Sequence, residues 1–306
     1  MITYIVGHKN PDTDSVVSAI VYAMLKKKLR EDEKFIPAVC GDINKETSYV
    51  LKRFNTDKPS AITDKAKDVV LVDHNEPSQI SENVKNEEVV AIIDHHKLGG
   101  LSTSLPILAV IEPVGSTSTI IAKLAFQNKI QIDKQEASLL IAGIISDTLN
   151  FNSPTTTEID KKILKELNKI AKIDTDELSK SMLETKSDLS GVRTEDLISK
   201  DYKNFNIKGE KVGVGVFETV DPKPALERAR DIKIELKKKK QNEKLKHILF
   251  AVVDIISKKA YFIVPTQEDE YFLTKSISTQ KENNYFIAPG IVSRKKQIIP
   301  ALEKSS

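Results

Sequence analysis

Histidine and aspartate are concentrated in four short motifs of this 306-residue sequence, which hold four of its five histidines. The first motif is GHKNPDTDS at residues 7–15, where His8, Asp12 and Asp14 can converge on one side of a turn. One imidazole nitrogen with two carboxylate oxygens suits Mn²⁺ or a similar cation better than a metal that prefers thiolates. Capping of the next helix by Asp14 or Ser15 would explain one of these residues but not the whole cluster.

The other three motifs also follow apolar runs. They are DHNE at residues 73–76, DHH at residues 94–96 and SDTLNF at residues 146–151, which contains Asp147. A buried carboxylate such as that of Asp147 is costly unless a cation neutralises it. Each motif alone could be a turn or a paired surface acid. Together they supply at least six ligands on four separate elements, which is enough for two cations that share a bridging carboxylate.

Basic residues near the end of the chain offer the opposite charge. The run Ser293–Gln297 reads SRKKQ, and an arginine in such a run can bind two phosphate oxygens at once. Lys203 is a second candidate for an anion contact. Adjacent basic residues are more often simply solvated, so the residue types alone leave both assignments open.

Alternating strands and helices must position these motifs. Short apolar, β-branched runs predict strands buried on both faces, as in a parallel sheet covered by helices; they are Ile2–Val6, Phe35–Val39, Val69–Val72, Val89–Ile93 and Ile107–Ile111. Helical spacing predicts the intervening and following helices, which are Ser15–Leu29, Lys45–Phe54, Ser116–Gln127, Lys134–Ile145 and Thr157–Ile170. The motifs at the strand ends therefore face the crevice where α/β proteins build their sites.

A polar stretch containing Gly191 interrupts this pattern and predicts a domain boundary. We expect a first domain over residues 1–187, a linker over 188–194 and a smaller α/β domain over 195–306. In the second domain the predicted strands are Val212–Phe217, Ile248–Ile256 and Ala260–Val264, with one helix over Pro224–Lys240. The predicted fold class is α/β, with the active site in the cleft between the two domains.

Bulk composition argues against several classes of protein. A net charge of +3 is too small for a nucleic-acid-binding or membrane-surface protein, so neither partner is expected. The single cysteine, Cys40, excludes an intrachain disulfide, and the longest apolar runs are too short to cross a bilayer. No secretory signal is evident, so we predict a cytoplasmic location.

Six segments, taken in order along the chain, resemble the family II, manganese-dependent inorganic pyrophosphatases of the DHH phosphoesterase superfamily. They are residues 7–15, 71–76, 93–96, 112–119, 146–151 and 293–297. DHH alone marks only the superfamily, whereas NPDTD, DHNE and SRKK are far more specific. The stretch between Phe54 and Val69 is too short for the paired nucleotide-sensing modules that some relatives carry.

The resemblance implies roles for individual residues. His8, Asp12 and Asp73 would hold one Mn²⁺, and a second set would hold the other, with Asp73 bridging both. The second set is Asp14, Asp73, His95 and Asp147. Co²⁺ or Mg²⁺ are alternatives, and a further Mg²⁺ would arrive with the substrate.

Roles beyond the metals follow from the same resemblance. His96 would contact the substrate or assist the leaving group, and the second domain would bind phosphate. Those phosphate-binding residues are Lys203, Arg294 and Lys295. We interpret His74 and Asp94 as residues that orient the ligands. The family also implies a homodimer.

The expected reaction is hydrolysis of pyrophosphate to two phosphates by a hydroxide bridging the cations. The nearest alternative is an exopolyphosphatase of the same superfamily. A nuclease is less favoured, because the glycine-rich histidine motif of nuclease relatives is missing from this sequence, in which His247 is the sole histidine after His96. A non-catalytic phosphate or metal sensor is a third reading, but such relatives would be expected to lose ligands, and this sequence keeps them all.

Overall fold

A computed structural model describes residues 2–63 and 66–305 of the chain. The polypeptide divides between Thr185 and Lys186 into two compact units, each with its own sheet and its own buried apolar residues.

The first unit is built on a six-stranded sheet in which every pair of neighbours is parallel. Its strands run in the order β3-β2-β1-β4-β5-β6. They are β1 (Ile2–Lys9), β2 (Lys34–Cys40), β3 (Ser60–Ala61), β4 (Asp68–Val72), β5 (Val89–Asp94) and β6 (Leu108–Ile111). Parallel strands place their carboxyl ends at one edge of the sheet, so the motifs that follow β1, β4 and β5 meet there.

Six helices accompany this sheet. They are α1 (Thr13–Leu29), α2 (Lys45–Arg53), α3 (Thr117–Gln127), α4 (Lys134–Thr148), α5 (Glu158–Ala171) and α6 (Thr175–Ser187). Helices α1 and α4 are buried over most of their length, and their side chains belong to the main apolar core of the unit. Asp12 caps α1, because its Oδ1 accepts a hydrogen bond from the Ser15 N–H at 3.0 Å. The cap is therefore Asp12, and neither Asp14 nor Ser15 has that role.

The second unit carries a mixed six-stranded sheet in the order β11-β12-β10-β9-β8-β7. Its strands are β7 (Tyr202–Ile207), β8 (Glu210–Thr219), β9 (His247–Asp254), β10 (Lys259–Ile263), β11 (Gln280–Glu282) and β12 (Tyr285–Pro289). Strands β8 and β9 are parallel, and the remaining neighbours are antiparallel. The helices are α7 (Thr194–Ser199), α8 (Lys223–Glu227), α9 (Ala229–Asn242), α10 (Gln267–Ser276) and α11 (Ile299–Ser305), with a π-helical turn at Arg294–Ile298.

The predicted fold class is confirmed, since a parallel sheet flanked by helices precedes a second α/β unit. One predicted helix was wrong in its continuity: Pro224–Lys240 is divided into α8 and α9 at Arg228. Arg228 leaves helical geometry, and its guanidinium donates hydrogen bonds to the carbonyls of Leu189 and Val192 at 2.8 and 2.6 Å. Within the described residues, no helix combines the length and apolar character that crossing a bilayer requires.

Candidate metal centre

The four histidine–aspartate motifs converge at the carboxyl edge of the parallel sheet. His8 lies at the end of β1, Asp73 directly follows β4, and His95 directly follows β5. The start of α1 and the last turn of α4 add the remaining carboxylates. A cavity of about 580 Å³ opens at this point, and its walls include side chains from all four motifs.

Asp73 is the side chain around which the cluster is arranged. Three groups of residues each offer ligand atoms that lie within 4.8 Å of one another, and Asp73 belongs to all three. The groups are His8, Asp12 and Asp73; Asp14, Asp73, His95 and Asp147; and Asp73, His95 and His96. The structure therefore brings together all six side chains that the sequence pattern suggested as metal ligands, with Asp73 shared between two sets.

Backbone carbonyls fix the orientation of the imidazole rings. The Nδ1 of His8 lies 2.8 Å from the Lys9 carbonyl oxygen, and the Nδ1 of His95 lies 3.0 Å from the Val114 carbonyl oxygen. A carbonyl oxygen only accepts, so each Nδ1 carries the proton and each Nε2 keeps its lone pair for the cluster. This tautomer is the one that a metal-ligating histidine needs.

Two buried atoms at the centre of the cluster lack hydrogen bonds. Among the described residues, neither the Oδ2 of Asp73 nor the Nε2 of His95 has a hydrogen-bond partner. His95 Nε2 lies 3.2 Å from Asp147 Oδ2 and 3.4 Å from Asp73 Oδ1, but without hydrogen-bond geometry. Buried polar atoms are normally paired, so these atoms point to a missing partner that accepts lone pairs. A divalent cation with nitrogen and oxygen ligands fits this donor set.

The backbone at Asp73 is also unusual. Its φ of 65° lies in the left-handed region, which aspartate tolerates better than bulkier residues do. The side chain is only 1% exposed. Strained backbone of this kind persists where the surrounding structure determines it, and it is concentrated at functional sites.

Asp14 is held by the turn that starts α3. The N–H groups of Thr117 and Ser118 donate to its carboxylate at 2.7 and 3.1 Å, and the Ser116 hydroxyl donates at 3.1 Å. The Thr117 hydroxyl also donates to Asp73 Oδ1 at 2.8 Å. Residues 116–118 thus orient two carboxylates of the cluster through their backbone and hydroxyl groups.

Asp160, at the start of α5, binds the residues on either side of that turn. Its carboxylate is fully buried and accepts from the Gly115 N–H at 2.9 and 3.0 Å and from the Thr119 hydroxyl at 2.6 Å. A side chain at position 115 would place its Cβ 2.7 Å from Thr148 Cγ2, so glycine is required there by close approach. Hydrogen bonds therefore connect the turn that holds Asp14 and Asp73 with helix α5, outside the cluster.

Opposite charges perturb the two imidazoles strongly. Burial alone would lower the pKa of His8, but the carboxylates of Asp12 and Asp73 raise it to about 11. Burial likewise opposes a charge on His95, yet Asp147 and Asp73 raise its pKa to about 12. Positive charge is thus strongly favoured at the positions of both Nε2 atoms.

The pKa values of two carboxylates, Asp14 and Asp147, are also raised. Burial raises the pKa of Asp14 to about 7, and repulsion from Asp73 adds to this. Burial, followed by repulsion from Asp12, raises the pKa of Asp147 well above its ordinary value. Burial would also raise the pKa of Asp73, but the neighbouring imidazoles of His8 and His95 hold it well below its ordinary value. Raised pKa values at two carboxylates and at both imidazoles indicate that the cluster is short of positive charge, which divalent cations would supply.

His96, which follows His95, is oriented by Asp94. Its Nδ1 lies 2.8 Å from Asp94 Oδ1, and the same oxygen accepts from the His96 backbone N–H at 3.1 Å. Asp94 is fully buried, and its Oδ2 accepts from the Asn75 amide at 2.5 Å. The hydrogen bond that His96 donates to Asp94 raises the pKa of His96, which keeps the ring protonated closer to neutral pH. The ring is half exposed, and its Nε2 remains available to a substrate.

His74 belongs to none of the three candidate ligand groups. Its Nδ1 lies 2.9 Å from the Val72 carbonyl oxygen, and its ring meets that of His8 edge to face at 6.4 Å. Burial lowers its pKa, so the ring is neutral. It packs against a candidate ligand rather than joining the ligand set.

The predicted phosphate-binding residues all lie in the second unit. Lys203 is exposed on β7, and Lys295 is exposed in the π-helical turn. Arg294 is different, because its guanidinium donates to the Asp201 carboxylate and to the Asp201 carbonyl, both at 2.7 Å. Asp201 was not singled out from the sequence, since an exposed aspartate before a strand carries no signal of its own.

Three further residues were missed as parts of the site. Thr117 lies in the run EPVGSTST at 112–119, which resembled the family but suggested no role. Asp160 and Glu46 lie on α5 and α2, outside every motif. Only their tertiary contacts connect them with the cluster.

Comparison with known proteins defines first the class and then the family. Residues 2–144 match the DHH family, N-terminal domain, and residues 180–305 match the DHHA2 domain. Fold and site thus define a DHH-type protein with a candidate centre for two cations. An exopolyphosphatase-related protein from Bacteroides fragilis shares this fold, with a TM-score of 0.52 at 18% identity over 99% of this chain and 92% of that one.

More similar proteins narrow the class. The chain is 40% identical to the manganese-dependent inorganic pyrophosphatase of Methanothrix thermoacetophila, over 99% of this chain and 97% of that protein. It is 36% identical to the enzyme of the same name from Bacillus subtilis, over 97% and 96%. A Methanococcus jannaschii structure described as a family II inorganic pyrophosphatase matches with a TM-score of 0.65 at 40% identity, over 99% of both chains. The chain belongs to the manganese-dependent, family II inorganic pyrophosphatases.

Proposed function

We propose that this protein hydrolyses inorganic pyrophosphate to two phosphates in a manganese-dependent reaction. The observation that carries the proposal is the convergence of five potential ligands on a sixth, Asp73, with Asp73 Oδ2 and His95 Nε2 buried and unpaired among the described residues. Full-length relatives at about 40% identity that are named for this activity support it.

Two Mn²⁺ ions per chain fit the donor set best. We assign one to His8, Asp12 and Asp73, and the other to a set of four that shares Asp73. That set is Asp14, Asp73, His95 and Asp147. Imidazole and carboxylate ligands together suit Mn²⁺, with Co²⁺ or Mg²⁺ as alternatives, and we expect Mg²⁺ to accompany the substrate.

When bound, such a cation pair supplies positive charge that polarises phosphoryl oxygens and makes water more acidic. The chain's own residues supply the rest. Asp94 holds the His96 ring through Nδ1 and favours its protonated form. We assign to His96 Nε2 the hydrogen bond, or the proton, that the departing phosphate receives. His74 and Asp94 orient their neighbours rather than bind cations.

We assign catalysis and metal binding to residues 1–187 and phosphate binding to residues 195–306, joined by residues 188–194. All six potential ligands lie in the first part, and the basic residues Lys203, Arg294 and Lys295 lie in the second. An arginine can contact two phosphate oxygens at once, whereas a lysine offers a compact point charge.

The test is release of phosphate by the full chain after metal removal and controlled return of Mn²⁺. We expect rapid hydrolysis of pyrophosphate and much slower hydrolysis of tripolyphosphate. His96→Gln should lower kcat about 100-fold or more, the range expected for loss of a general acid, without changing Mn²⁺ affinity. Faster turnover of tripolyphosphate would instead identify an exopolyphosphatase, and Mn²⁺ binding without any phosphate release would identify a sensor.

We also propose that the protein is a homodimer and that it is cytoplasmic. Strand β6 ends the parallel sheet, and large apolar side chains are exposed on it and before it: Leu98 (78%), Leu105 (73%) and Leu108 (56%). An exposed strand edge flanked by leucines favours pairing with another chain. The single cysteine is compatible with a reducing compartment. Light scattering would detect the dimer, and Leu105→Glu should shift it toward monomer.

A further inference from the structure

Two buried glutamates bridge helices α1 and α4 at opposite ends. At one end Glu136 Oε2, at the start of α4, accepts from Lys28 Nζ near the end of α1 at 2.6 Å. At the other end Glu46 Oε2, from α2, accepts from the hydroxyls of Thr13 and Ser146 at 3.0 and 2.8 Å. The helices are thus antiparallel, and each end is joined through one carboxylate oxygen.

Among the residues that the structure describes, the candidate metal ligands of this helix pair lie at the Glu46 end. Thr13 stands between Asp12 and Asp14 at the start of α1, and Ser146 immediately precedes Asp147 in the last turn of α4. Glu46 itself belongs to none of the three candidate ligand groups. The two hydroxyls that donate to Glu46 belong to residues adjacent in sequence to Asp12, Asp14 and Asp147, and not to these potential ligands themselves.

The bonds that Glu46 makes are suited to fixing a distance. Both hydroxyls bind the same oxygen, so the separation of Thr13 and Ser146 is limited by two hydrogen bonds that share one acceptor. The side chain is only 2% exposed, and hydrogen bonds to a carboxylate are shorter and stronger than those between neutral groups. A third contact strengthens the junction, since the Thr13 and Thr47 hydroxyls lie 3.1 Å apart.

We propose that Glu46 is a positioning residue for the metal centre. It sets the spacing between the Asp12–Asp14 turn and Asp147, and thereby the distance between carboxylates that must share two cations. The identity of the ligand, Mn²⁺, rests on the proposed function. The geometric role of Glu46 does not depend on which substrate is hydrolysed.

The experiment measures Mn²⁺ binding to the metal-free full chain by calorimetry and by the EPR signal of free Mn²⁺, without pyrophosphate. Loss of a residue that orients metal ligands typically costs 10–100-fold in affinity, so we expect about that loss for Glu46→Ala. Glu46→Gln keeps a carbonyl oxygen in place and should recover most of the affinity. Recovery by an uncharged acceptor separates positioning from a contribution of charge.

Glu136→Ala is the matched control, because it removes an equally buried glutamate from the other end of the same helix pair. We expect a lower unfolding temperature with unchanged Mn²⁺ affinity. If Glu46→Ala does not fold, Ser146→Ala tests the same link beside Asp147. Its control is Ser138→Ala, which changes a buried residue of α4 whose hydroxyl donates to the Lys134 carbonyl at 2.8 Å and is not hydrogen-bonded to Glu46.

Wild-type affinity in both Glu46→Ala and Ser146→Ala would overturn the proposal, as would an equal loss in Glu136→Ala. Failure of the proposed function gives a different result: the wild-type chain would bind Mn²⁺ and release no phosphate from pyrophosphate. The binding data would still decide the role of Glu46 in that case.

Discussion

Each unit of this protein buries a cluster of ionic side chains, and the two clusters are satisfied in opposite ways. In the second unit, Asp269 is fully buried and accepts from Lys240 Nζ at 2.7 Å, from the Thr266 hydroxyl at 2.5 Å and from the Ile248 N–H at 3.2 Å. His247 Nδ1 lies 3.3 Å away, and its ring stacks on Phe272 at 4.0 Å. Residues of the second unit therefore supply the hydrogen-bond donors that this carboxylate needs.

The cluster around Asp73 is different. It crowds carboxylates together, raises the pKa of Asp147 and leaves two central atoms without hydrogen bonds among the described residues. A satisfied buried network stabilises the fold, whereas an unsatisfied one is costly until a ligand completes it. In this protein the number of hydrogen-bond partners, and not burial or charge alone, distinguishes the structural ionic cluster from the candidate binding site.

The largest expected effect comes from Asp147→Asn. Pyrophosphate hydrolysis should fall by at least about 100-fold, because replacing a residue that only orients metal ligands already lowers metal affinity or activity about 10–100-fold. The metal-free variant should nevertheless unfold at the same or a higher temperature, since a repelled carboxylate is removed. Phosphate release measures the first effect, and calorimetric unfolding with and without Mn²⁺ measures the second, with the exposed Asp42→Asn as control. A large loss of metal-free stability would mean that the cluster is structural.

Arg294→Ala tests whether a residue that already forms an ion pair within the second unit also binds phosphate. Its guanidinium is paired with Asp201, as Lys240 is with Asp269, yet we assign it to phosphate binding. A hydrogen bond to a charged group contributes about 1.5–3 kcal/mol, so KM for pyrophosphate should rise about 10–100-fold while Mn²⁺ affinity stays constant. Lys296→Ala, in the same turn, is the control. Unchanged kinetics with a lower unfolding temperature would place Arg294 with the structural pairs.

Asp269→Asn should affect stability alone. Removing the charge of Asp269 leaves the mostly buried Lys240 with Glu268, 3.6 Å away and half exposed, as its remaining anionic partner among the described residues. We expect a loss of about 3 kcal/mol in the free energy of unfolding. The loss should be equal with and without Mn²⁺, and kcat should not change. Denaturant unfolding measures it, with the half-exposed Glu268→Gln as the comparison. A loss that Mn²⁺ abolishes would contradict the division between the two clusters.

The smallest effect is the pH dependence of that loss. Burial would raise the pKa of Asp269, but hydrogen bonds from His247, Lys240 and Thr266 hold it below its ordinary value. A depressed pKa contributes stability that is present above the unfolded-state value and is lost as the pH falls through the folded-state value. The difference between wild type and Asp269→Asn should therefore be constant near neutral pH and shrink below about pH 4. A difference that grows on acidification would show that the pairing is misassigned.

Much of the first unit could be predicted from its sequence. The β-branched runs at Ile2–Val6 and Val89–Ile93 are strands β1 and β5, because a strand buried on both faces has little choice of side chain. Short or polar strands could not be predicted. Strand β7 reads YKNFNI, with its two aromatic residues three positions apart, and β11 is a fully exposed three-residue edge, so neither shows the apolar alternation of a strand.

The sequence by itself determined which residues could bind cations, since His8, Asp73 and His95 stand in compact motifs at strand ends whose chemistry is local. The tertiary structure alone decided which groups hold those side chains in place. Glu46, Asp160 and Thr117 act across 33 to 103 residues of chain through hydrogen bonds formed only after the helices pack. The packing of the helices determines which buried groups form hydrogen bonds with each other, and the spacing of these residues along the chain does not predict those pairs.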